Sequence, residues 1–176
     1  MLSILFITTF ASVKKKKQPI ILQDIVVEDY AAEGKSLAKV NGKVIFIERA
    51  VPGDIVDIQL TKNKKDWAEA YPIHFKKYAE LRTTPFCEHF GICGGCRLQH
   101  MAPAAQVAWK QSLLLKDLAE KGVAYNRLLA PINSSPWGYR RRSRLGVKDV
   151  PGKGRVLVGF RERRKPYISD CRRCEI

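Results

Sequence analysis

Cysteine is the residue type of this sequence best suited to chemistry, and three of the five cysteines lie within one stretch of ten residues. A C-x5-C-x2-C motif is followed much later by a C-x2-C pair, at Cys87, Cys93, Cys96, Cys171 and Cys174. Cubane iron–sulfur clusters are held by four cysteine thiolates. Three thiolates on one loop and a fourth from a distant segment therefore predict such a cluster. Gly94 and Gly95 fit this interpretation, because glycine lets backbone N–H groups approach the sulfurs without a side chain in between.

Two other interpretations of the cysteines remain open. Zinc would use the two C-x2-C pairs, Cys93 with Cys96 and Cys171 with Cys174. However, 74 residues separate these pairs, whereas a zinc ribbon has roughly 15–20, and Cys87 would be left over. The cysteines could also be ordinary reduced core residues, although two glycines between cysteines are poor core material. The spacing favours iron and sulfur.

Composition and charge indicate a globular protein with a polyanionic partner. The chain has 176 residues, of which 45% are hydrophobic, enough for one domain or two small ones. Five cysteines are an odd number, which argues against a secreted disulfide framework and for a reducing, cytoplasmic setting. Lys and Arg number 32 against 17 Asp and Glu, a net charge of +15. Residues 137–174 alone contain 13 basic and 3 acidic residues, which predicts nucleic acid as the partner.

The first 17 residues receive no functional prediction. Residues 1–13 are apolar and four lysines, Lys14 to Lys17, follow them. A secretory signal has the opposite order of charge and apolar stretch, and a membrane span needs about 20 residues. We therefore expect a leader or a non-native extension, and no membrane association.

Residues 18–78 have the pattern of a small all-β domain. About five short strands are expected, with a hairpin at Asn41-Gly42 and a turn at Pro52-Gly53-Asp54. Their number and length predict a five-stranded, oligonucleotide-binding-like barrel. A basic loop beside an aromatic ring suits single-stranded RNA, and the candidate RNA-binding residues here are Lys62, Lys64, Lys65 and Trp67. A place for Trp67 in the barrel core is an equal alternative.

Residues 79–176 are predicted to form a small α/β segment around the cysteine loop, which makes the fold class α+β. A helix is expected from Pro103 to about Lys121, ending at Gly122. Strands are expected at 127–132, 137–145, 155–161 and 167–170. In the second of these strands, three arginines would project from one face, and we predict that Arg140, Arg142 and Arg144 contact RNA phosphates. Pairing with carboxylates is the alternative.

Several motifs resemble one enzyme family. C-G-G-C-x-L-Q-H at residues 93–100, W-G-Y-R-R-R at 137–142 and V-G-F-R at 158–161 resemble the RNA (uracil-5-)-methyltransferases. The resemblance is closest to the iron–sulfur branch that methylates uracil C5 in 23S ribosomal RNA. E-G-K-S-L-A at 33–38 and V-P-G-D at 51–54 make the preceding barrel similar to a TRAM domain. The resemblance covers residues 17–176.

The resemblance implies a set of cluster ligands and a separate catalytic domain. It assigns a [4Fe–4S] cluster to Cys87, Cys93, Cys96 and Cys174, because the fourth ligand of the family precedes a short apolar segment. The family has proline where this chain has Glu175, so Cys171 remains the other candidate. Family members continue into a Rossmann-like domain that binds S-adenosylmethionine and carries a cysteine nucleophile. No residue of this chain matches those features.

The predicted function follows from the resemblance and the charge together. The chain is expected to be the RNA-recognition and iron–sulfur portion of an S-adenosylmethionine-dependent 23S rRNA (uracil-5-)-methyltransferase, without the catalytic domain and inactive alone. We expect a cytoplasmic monomer with ribosomal RNA as its partner. The alternative is a non-catalytic RNA-binding module with a structural iron–sulfur or zinc site.

Overall fold

The structure, a computed structural model, describes residues 18–31 and 34–176. The predicted leader, residues 1–17, lies outside this part of the chain. The elements are β1 (Ile21–Val26), β2 (Asp29–Tyr30), β3 (Ser36–Val40), β4 (Lys43–Ile47), β5 (Ile55–Asn63), β6 (Trp67–Lys77), α1 (Pro103–Glu120), β7 (Gly146–Val150) and β8 (Arg155–Gly159). Within these residues, no helix combines the length and the apolar character that a bilayer crossing requires.

The first six strands form one mixed sheet in the order β1-β5-β6-β4-β3-β2, with β4 and β6 parallel. The predicted mostly β domain is confirmed, whereas the predicted five-stranded, oligonucleotide-binding-like barrel is not, since six strands form the sheet. Residues 20–30, which are rich in β-branched side chains, form two strands, because the Val27 N–H donates to the Asp54 carbonyl and the Glu28 N–H donates to the Leu37 carbonyl. The chain thus changes partner from β5 to β3. Among the described strands, no pairing joins β1 to β2 and closes the sheet.

The core of this sheet follows the period-2 alternation of the sequence. In β5, Val56 and Ile58 are fully buried, and in β4, Ile45 and Ile47 are fully buried. Small residues of β6, Ala68 and Ala70, lie in the same core. The predicted hairpin is confirmed, since Asn41 and Gly42 have φ angles of 50° and 77° between β3 and β4, as a two-residue hairpin turn requires.

A buried ion pair joins this sheet to the chain that follows it. The Asp54 side chain is fully buried, and its carboxylate accepts hydrogen bonds from the Val51 N–H at 2.7 Å and the Ala79 N–H at 2.8 Å. The Arg82 guanidinium donates to both carboxylate oxygens and, at 2.9 Å, to the Arg49 carbonyl. The same guanidinium lies 4.5 Å from the centre of the Phe75 ring. The turn before β5 is thereby fixed to the start of the cysteine segment.

A second contact between the two parts is made by a buried histidine. His100 is 1% exposed, and its Nε2 lies 3.1 Å from the Ala50 carbonyl oxygen. Burial lowers the pKa of His100 to about 4. The ring is therefore neutral at physiological pH and donates to Ala50. The next residue, Met101, packs against Tyr30 and Val51 of the sheet region.

The remaining chain contains little regular structure. The predicted helix is confirmed as α1, and Gly122 beyond it has a φ of 64°. A turn at Pro151–Gly154 joins β7 and β8. The strands predicted at 127–132 and 137–145 are wrong, since both stretches are irregular and largely exposed. A strand needs a partner for its N–H and C=O groups, and the described residues provide none there. The strand predicted at 167–170 is reduced to one bridge, from Ile168 to Arg161.

Replacing Asp54 by asparagine should strongly destabilise the fold. The substitution leaves the Arg82 guanidinium without its counter-charge in a largely buried position, and breaking a buried pair in this way costs about 3–5 kcal/mol. Urea unfolding of the two proteins measures the difference. The matched control is Glu120→Gln, which removes an exposed partner of Lys116 and should change stability by about 0.5 kcal/mol or less. Equal effects of the two substitutions would contradict the role given to Asp54.

His100 should make stability depend on pH between about 4 and 6.5. The unfolded histidine titrates near 6.5 and the folded one near 4, so the unfolded state binds the extra proton in this window. The free energy of unfolding should therefore fall as the pH is lowered from 6.5 to 4, by up to about 3 kcal/mol. Unfolding of His100→Gln at each pH should lack this component. Carboxylates with lowered pKa values, such as Asp57 beside the Asp24 N–H, titrate in both proteins and cancel. Identical pH profiles of the two proteins would contradict the assignment.

A candidate metal centre and nucleic-acid interface

All five cysteines line one cavity between the cysteine loop and the last residues of the chain. The cavity contains about 450 Å³ of space, part of it open to solvent. Its apolar walls are Phe90, Phe160 and Ile176, and its polar walls include Gln99 and Arg140. The structure thus brings together the four cysteines predicted as ligands, Cys87, Cys93, Cys96 and Cys174, with Cys171 beside them.

The cysteine loop is held by tight backbone turns. The Phe90 N–H donates to the Cys87 carbonyl at 3.0 Å, and the Cys93 N–H donates to the His89 carbonyl at 2.9 Å. Gly91 between them has a φ of 91°, a conformation that favours glycine. These turns direct the side chains of Cys87 and Cys93 to the same cavity.

The distant cysteines reach the cavity because the chain after β8 docks on the loop. The Gly94 N–H donates to the Arg161 carbonyl and the Arg163 N–H donates to the Ile92 carbonyl, both at 2.9 Å. A Cβ at Gly94 would lie 2.8 Å from the Arg161 carbonyl oxygen, so glycine is needed for this approach. The Ser169 N–H then donates to the Phe160 carbonyl at 2.8 Å. The strand-like segment 160–169 thereby returns the chain to Cys171.

Two thiols of this cavity, those of Cys87 and Cys93, have raised pKa values. Burial raises the pKa of Cys93 to about 11, and the neighbouring Cys171 raises it further. Burial also raises the pKa of Cys87. One hydrogen bond lowers the pKa of Cys93, since the Gly95 N–H donates to Cys93 Sγ at 3.4 Å. A metal centre would supply the positive charge that stabilises the thiolates, and binding would release their protons.

The spacing of the cysteine side chains does not match a site for a single ion, and the iron–sulfur cluster remains a prediction. Over the described part of the chain, no three His, Cys, Asp or Glu side chains lie close enough together to hold one metal ion. In a four-iron cluster each thiolate binds a different iron, so the sulfurs stand further apart than around zinc. Gln99 adds a second observation. Its amide oxygen accepts from the Cys87 N–H at 3.2 Å, while its buried Nε2 has no protein acceptor in the described residues. This N–H group is available to a sulfur in the cavity.

Cys171 and Cys174 differ in their surroundings. Cys171 is half-buried, and its thiol donates to Ser169 Oγ at 3.4 Å. Cys174 is exposed, and its neighbour Glu175 accepts a hydrogen bond at its carbonyl from the Gly138 N–H at 3.0 Å. Both cysteines line the cavity. The choice of Cys174 as the fourth ligand therefore remains a prediction.

The basic loop after β5 lies at the surface, as a nucleic-acid contact requires. Lys62, Lys64 and Lys65 are exposed. Lys62 forms an ion pair with Glu69 at 3.2 Å, whereas Lys64 and Lys65 have no ion-pair partner among the described residues. Trp67 is half-buried, with its ring edge-on to Phe46 at 6.3 Å. It therefore combines packing with partial exposure.

The arginines at 140, 142 and 144 do not share a strand face, because no strand forms there. All three are exposed, but Arg140 lines the cysteine cavity. There, its positive charge would offset the negative charge of bound thiolates. RNA contact by Arg142 and Arg144 remains a prediction.

Sequence reasoning missed a second basic site beside the cavity. Arg97 and Arg163 lie there together with Lys35 from the first sheet. The run of basic residues at 161–165 is the sequence signal that could have indicated it. Lys35 and Arg97 carry no such signal in the sequence, because only folding brings them close to residues 161–165.

The first sheet matches a known domain family, and most of the chain is similar to known proteins. The TRAM domain family matches residues 22–73. The chain is 42% identical over 154 residues to the 23S rRNA (uracil(1939)-C(5))-methyltransferase RlmD of Alkalilimnicola ehrlichii, and 45% identical over 153 residues to that of Nitrosospira multiformis. These matches cover 87% and 86% of this chain. Because each match spans more than 150 of the 176 residues, it includes the cysteine loop at residues 87–96.

The share of the relatives that is matched is much smaller. The chain spans 35% of the length of each of these two enzymes and 32% of the RlmD of Bordetella parapertussis. The matched part is N-terminal in the relatives. The chain thus contains a TRAM domain and is related, over most of its length, to the N-terminal third of the 23S rRNA (uracil-C5)-methyltransferases.

Proposed function

We propose that this chain is the RNA-recognition and iron–sulfur part of an enzyme that methylates C5 of a uracil in 23S rRNA. The observation that carries the proposal is a similarity spanning both the TRAM sheet and the cysteine loop. The relatives' names specify uracil 1939, and we extend this target to the present chain. Methyl transfer from S-adenosylmethionine is assigned to a catalytic domain, since no residue described above matches a cofactor site or a nucleophile for it.

The TRAM sheet and its basic loop support the RNA-binding half of the proposal. Lys43 Nζ donates hydrogen bonds to Asn63 Oδ1 and to the Lys64 carbonyl, and these contacts fix the loop against β4. Lys64 and Lys65 then present ammonium groups at the end of the sheet. Positive charge of this kind follows an RNA backbone, while a partly exposed ring such as Trp67 stacks on a base.

We further propose that a [4Fe–4S] cluster is bound by Cys87, Cys93, Cys96 and Cys174 and acts as a structural clasp. When bound, the cluster would supply four metal–thiolate bonds and positive charge next to the thiolates. The residues of the chain form the rest of the site. The Gly95 N–H donates to Cys93 Sγ, and the Gln99 amide N–H would donate to a sulfur of the cluster. Arg140 would supply charge, while Phe90 and Phe160 line the cavity. The clasp would connect residues 87–96 to the end of the chain.

Cysteine substitutions test the clasp. On protein purified without oxygen, Cys87→Ser should lose nearly all bound iron and sulfide and should unfold at a lower urea concentration. Cys174→Ser should do the same, whereas Cys171→Ser, the matched control on the same segment, should keep its iron. Iron and sulfide analysis with an absorption spectrum measures the outcome. Iron loss from Cys171→Ser but not Cys174→Ser would transfer the fourth ligand to Cys171. One zinc, no colour and an unaffected Cys87→Ser would contradict the cluster.

Removing the loop lysines tests RNA recognition. Lys64→Gln combined with Lys65→Gln should weaken binding to single-stranded RNA about tenfold. It should also reduce the slope of log K against log salt by about one to two, because each lost phosphate contact removes about 0.7. Fluorescence titration over a range of salt concentrations measures both quantities. Lys116→Gln, on the surface of α1, is the control and should bind as the wild type does.

The gene context separates this proposal from the alternative. A methyltransferase domain encoded in frame after residue 176, together with methylation of 23S rRNA by the whole protein, supports an enzyme. RNA binding by a protein without such a domain would instead favour a non-catalytic RNA-binding module.

A further inference from the structure

One cysteine of the cavity has no place in the proposed cluster. The four predicted ligands account for every cysteine except Cys171, which lines the same cavity. Its side chain is half-buried, and its thiol donates to Ser169 Oγ at 3.4 Å. Two neighbouring thiols can form a disulfide, which a thiol by itself cannot do. The role of Cys171 therefore depends on which other thiol it contacts.

The segment after β8 brings Cys171 back to the cysteine loop. Cys93 is paired with Glu162 in an antiparallel bridge, and the Glu162 N–H donates to the Tyr167 carbonyl at 2.9 Å. The Cys171 N–H then donates to the Ser169 carbonyl at 2.9 Å, which closes a tight turn of three residues. Three neighbouring stretches of backbone thus lead from Cys93 to Cys171.

Cys93 and Cys171 are in contact through their side chains. A hydrogen bond joins the two side chains, so only a small movement separates this contact from an S–S bond. The charge of Cys171 also acts on Cys87, but an electrostatic effect extends further than a hydrogen bond. The contact therefore favours Cys93 as the partner of Cys171.

We propose that Cys171 forms a disulfide with Cys93 when the chain holds no cluster, and that this bond protects Cys93 from irreversible oxidation. The pairing is a property of the cavity, so it does not depend on the proposed RNA function. In a chain that holds the cluster, Cys93 would be bound to iron and unable to pair. The cluster and the disulfide are thus alternative states of the same thiol.

Hydrogen peroxide is the oxidant of the proposed reaction. It transfers one oxygen atom to one of the two thiols, which becomes a sulfenic acid, and the rest of the peroxide leaves as water. The neighbouring thiol attacks the sulfenic sulfur, the S–OH bond breaks, and the hydroxyl group leaves with the thiol proton as a second water molecule. The two thiols together lose two electrons, and the peroxide gains them. A dithiol reductant reverses the disulfide and restores both thiols.

Without a neighbouring thiol, the same sulfenic acid has a different fate. Further peroxide converts it to a sulfinic acid, which thiols do not reduce. A cluster ligand oxidised in this way would be lost. Disulfides in a reducing compartment are typically transient and redox-sensing, and a reversible bond between Cys93 and Cys171 fits that pattern.

The disulfide would also connect the two segments that the cluster is proposed to connect. Cys93 belongs to the cysteine loop and Cys171 to the end of the chain, so the bond closes a long loop of backbone. Closing such a loop restrains the unfolded chain. The oxidised iron-free chain should therefore unfold at a higher urea concentration than the reduced iron-free chain.

Peroxide treatment of the iron-free chain tests the pairing. The full chain is freed of iron with EDTA and dithiothreitol, desalted and treated with a small excess of hydrogen peroxide, and the remaining thiols are blocked with N-ethylmaleimide. Mass spectrometry of unreduced peptides should find Cys93 linked to Cys171. The number of free thiols should fall from five to three, and dithiothreitol should restore all five.

Two serine variants show whether Cys171 is responsible. Cys171→Ser should leave Cys93 unpaired and should convert it to sulfinic acid several-fold more than in the wild type. Cys174→Ser is the matched control and should form the same disulfide as the wild type, because the iron-free chain does not use Cys174 as a ligand. Circular dichroism checks that each iron-free chain is folded.

The outcomes separate this inference from the proposed cluster. Equal amounts of sulfinic acid at Cys93 in the wild type and in Cys171→Ser would overturn the inference, as would a bond from Cys93 to Cys87, Cys96 or Cys174. An unfolded iron-free chain would overturn it as well, because the pairing depends on the folded cavity. A chain that forms the disulfide but never holds iron would overturn the cluster and leave this inference standing.

Discussion

The ion pair between Asp54 and Arg82 is the contact on which the rest of the molecule depends. A fully buried carboxylate accepts from two backbone N–H groups and a guanidinium, so the desolvation of its charge is offset on every side. The pair fixes the turn before β5 to residue 82. From there the Thr83 N–H donates to the His100 carbonyl at 3.0 Å, which closes the base of the cysteine segment. This pair, together with the contact between His100 and Ala50, fixes the position of that segment against the TRAM sheet.

The second half of the chain relies on different forces from the first. The TRAM sheet has a core of buried aliphatic side chains, whereas α1 has no buried residue and the β7–β8 hairpin exposes Val147, Val156 and Val158. Segments with so little buried apolar surface are marginally stable by themselves. A metal that connects the cysteine loop to the end of the chain would compensate for this deficit, because metal binding energy adds to folding energy. A structural role for the proposed cluster is therefore consistent with the packing.

Patterns within a few residues predicted turns, strands and the helix. The predictions failed where contacts with distant residues determine the structure. The Asn41-Gly42 turn, the alternation of β5 and the limits of α1 follow from backbone preferences and burial period alone. The division of residues 20–30 does not, because it results from hydrogen bonds to Asp54 and Leu37. Residues 137–145 alternate like a strand but have no strand partner in the described chain. The cysteine spacing indicated the cavity, since four side chains of one type identify a site even when their geometry is unknown. The second basic site was missed because Lys35, Arg97 and Arg163 come from three separate segments.

The wall shared by the two recesses has a thermodynamic consequence. Gly95 and Phe160 line the cysteine cavity on one side and the second basic site on the other. An occupant of either recess therefore constrains the same backbone. Two ligands that stabilise one arrangement of a shared element favour each other's binding to the same extent. An occupant of the second basic site would therefore strengthen binding of the proposed cluster by the factor with which the cluster strengthens binding of that occupant.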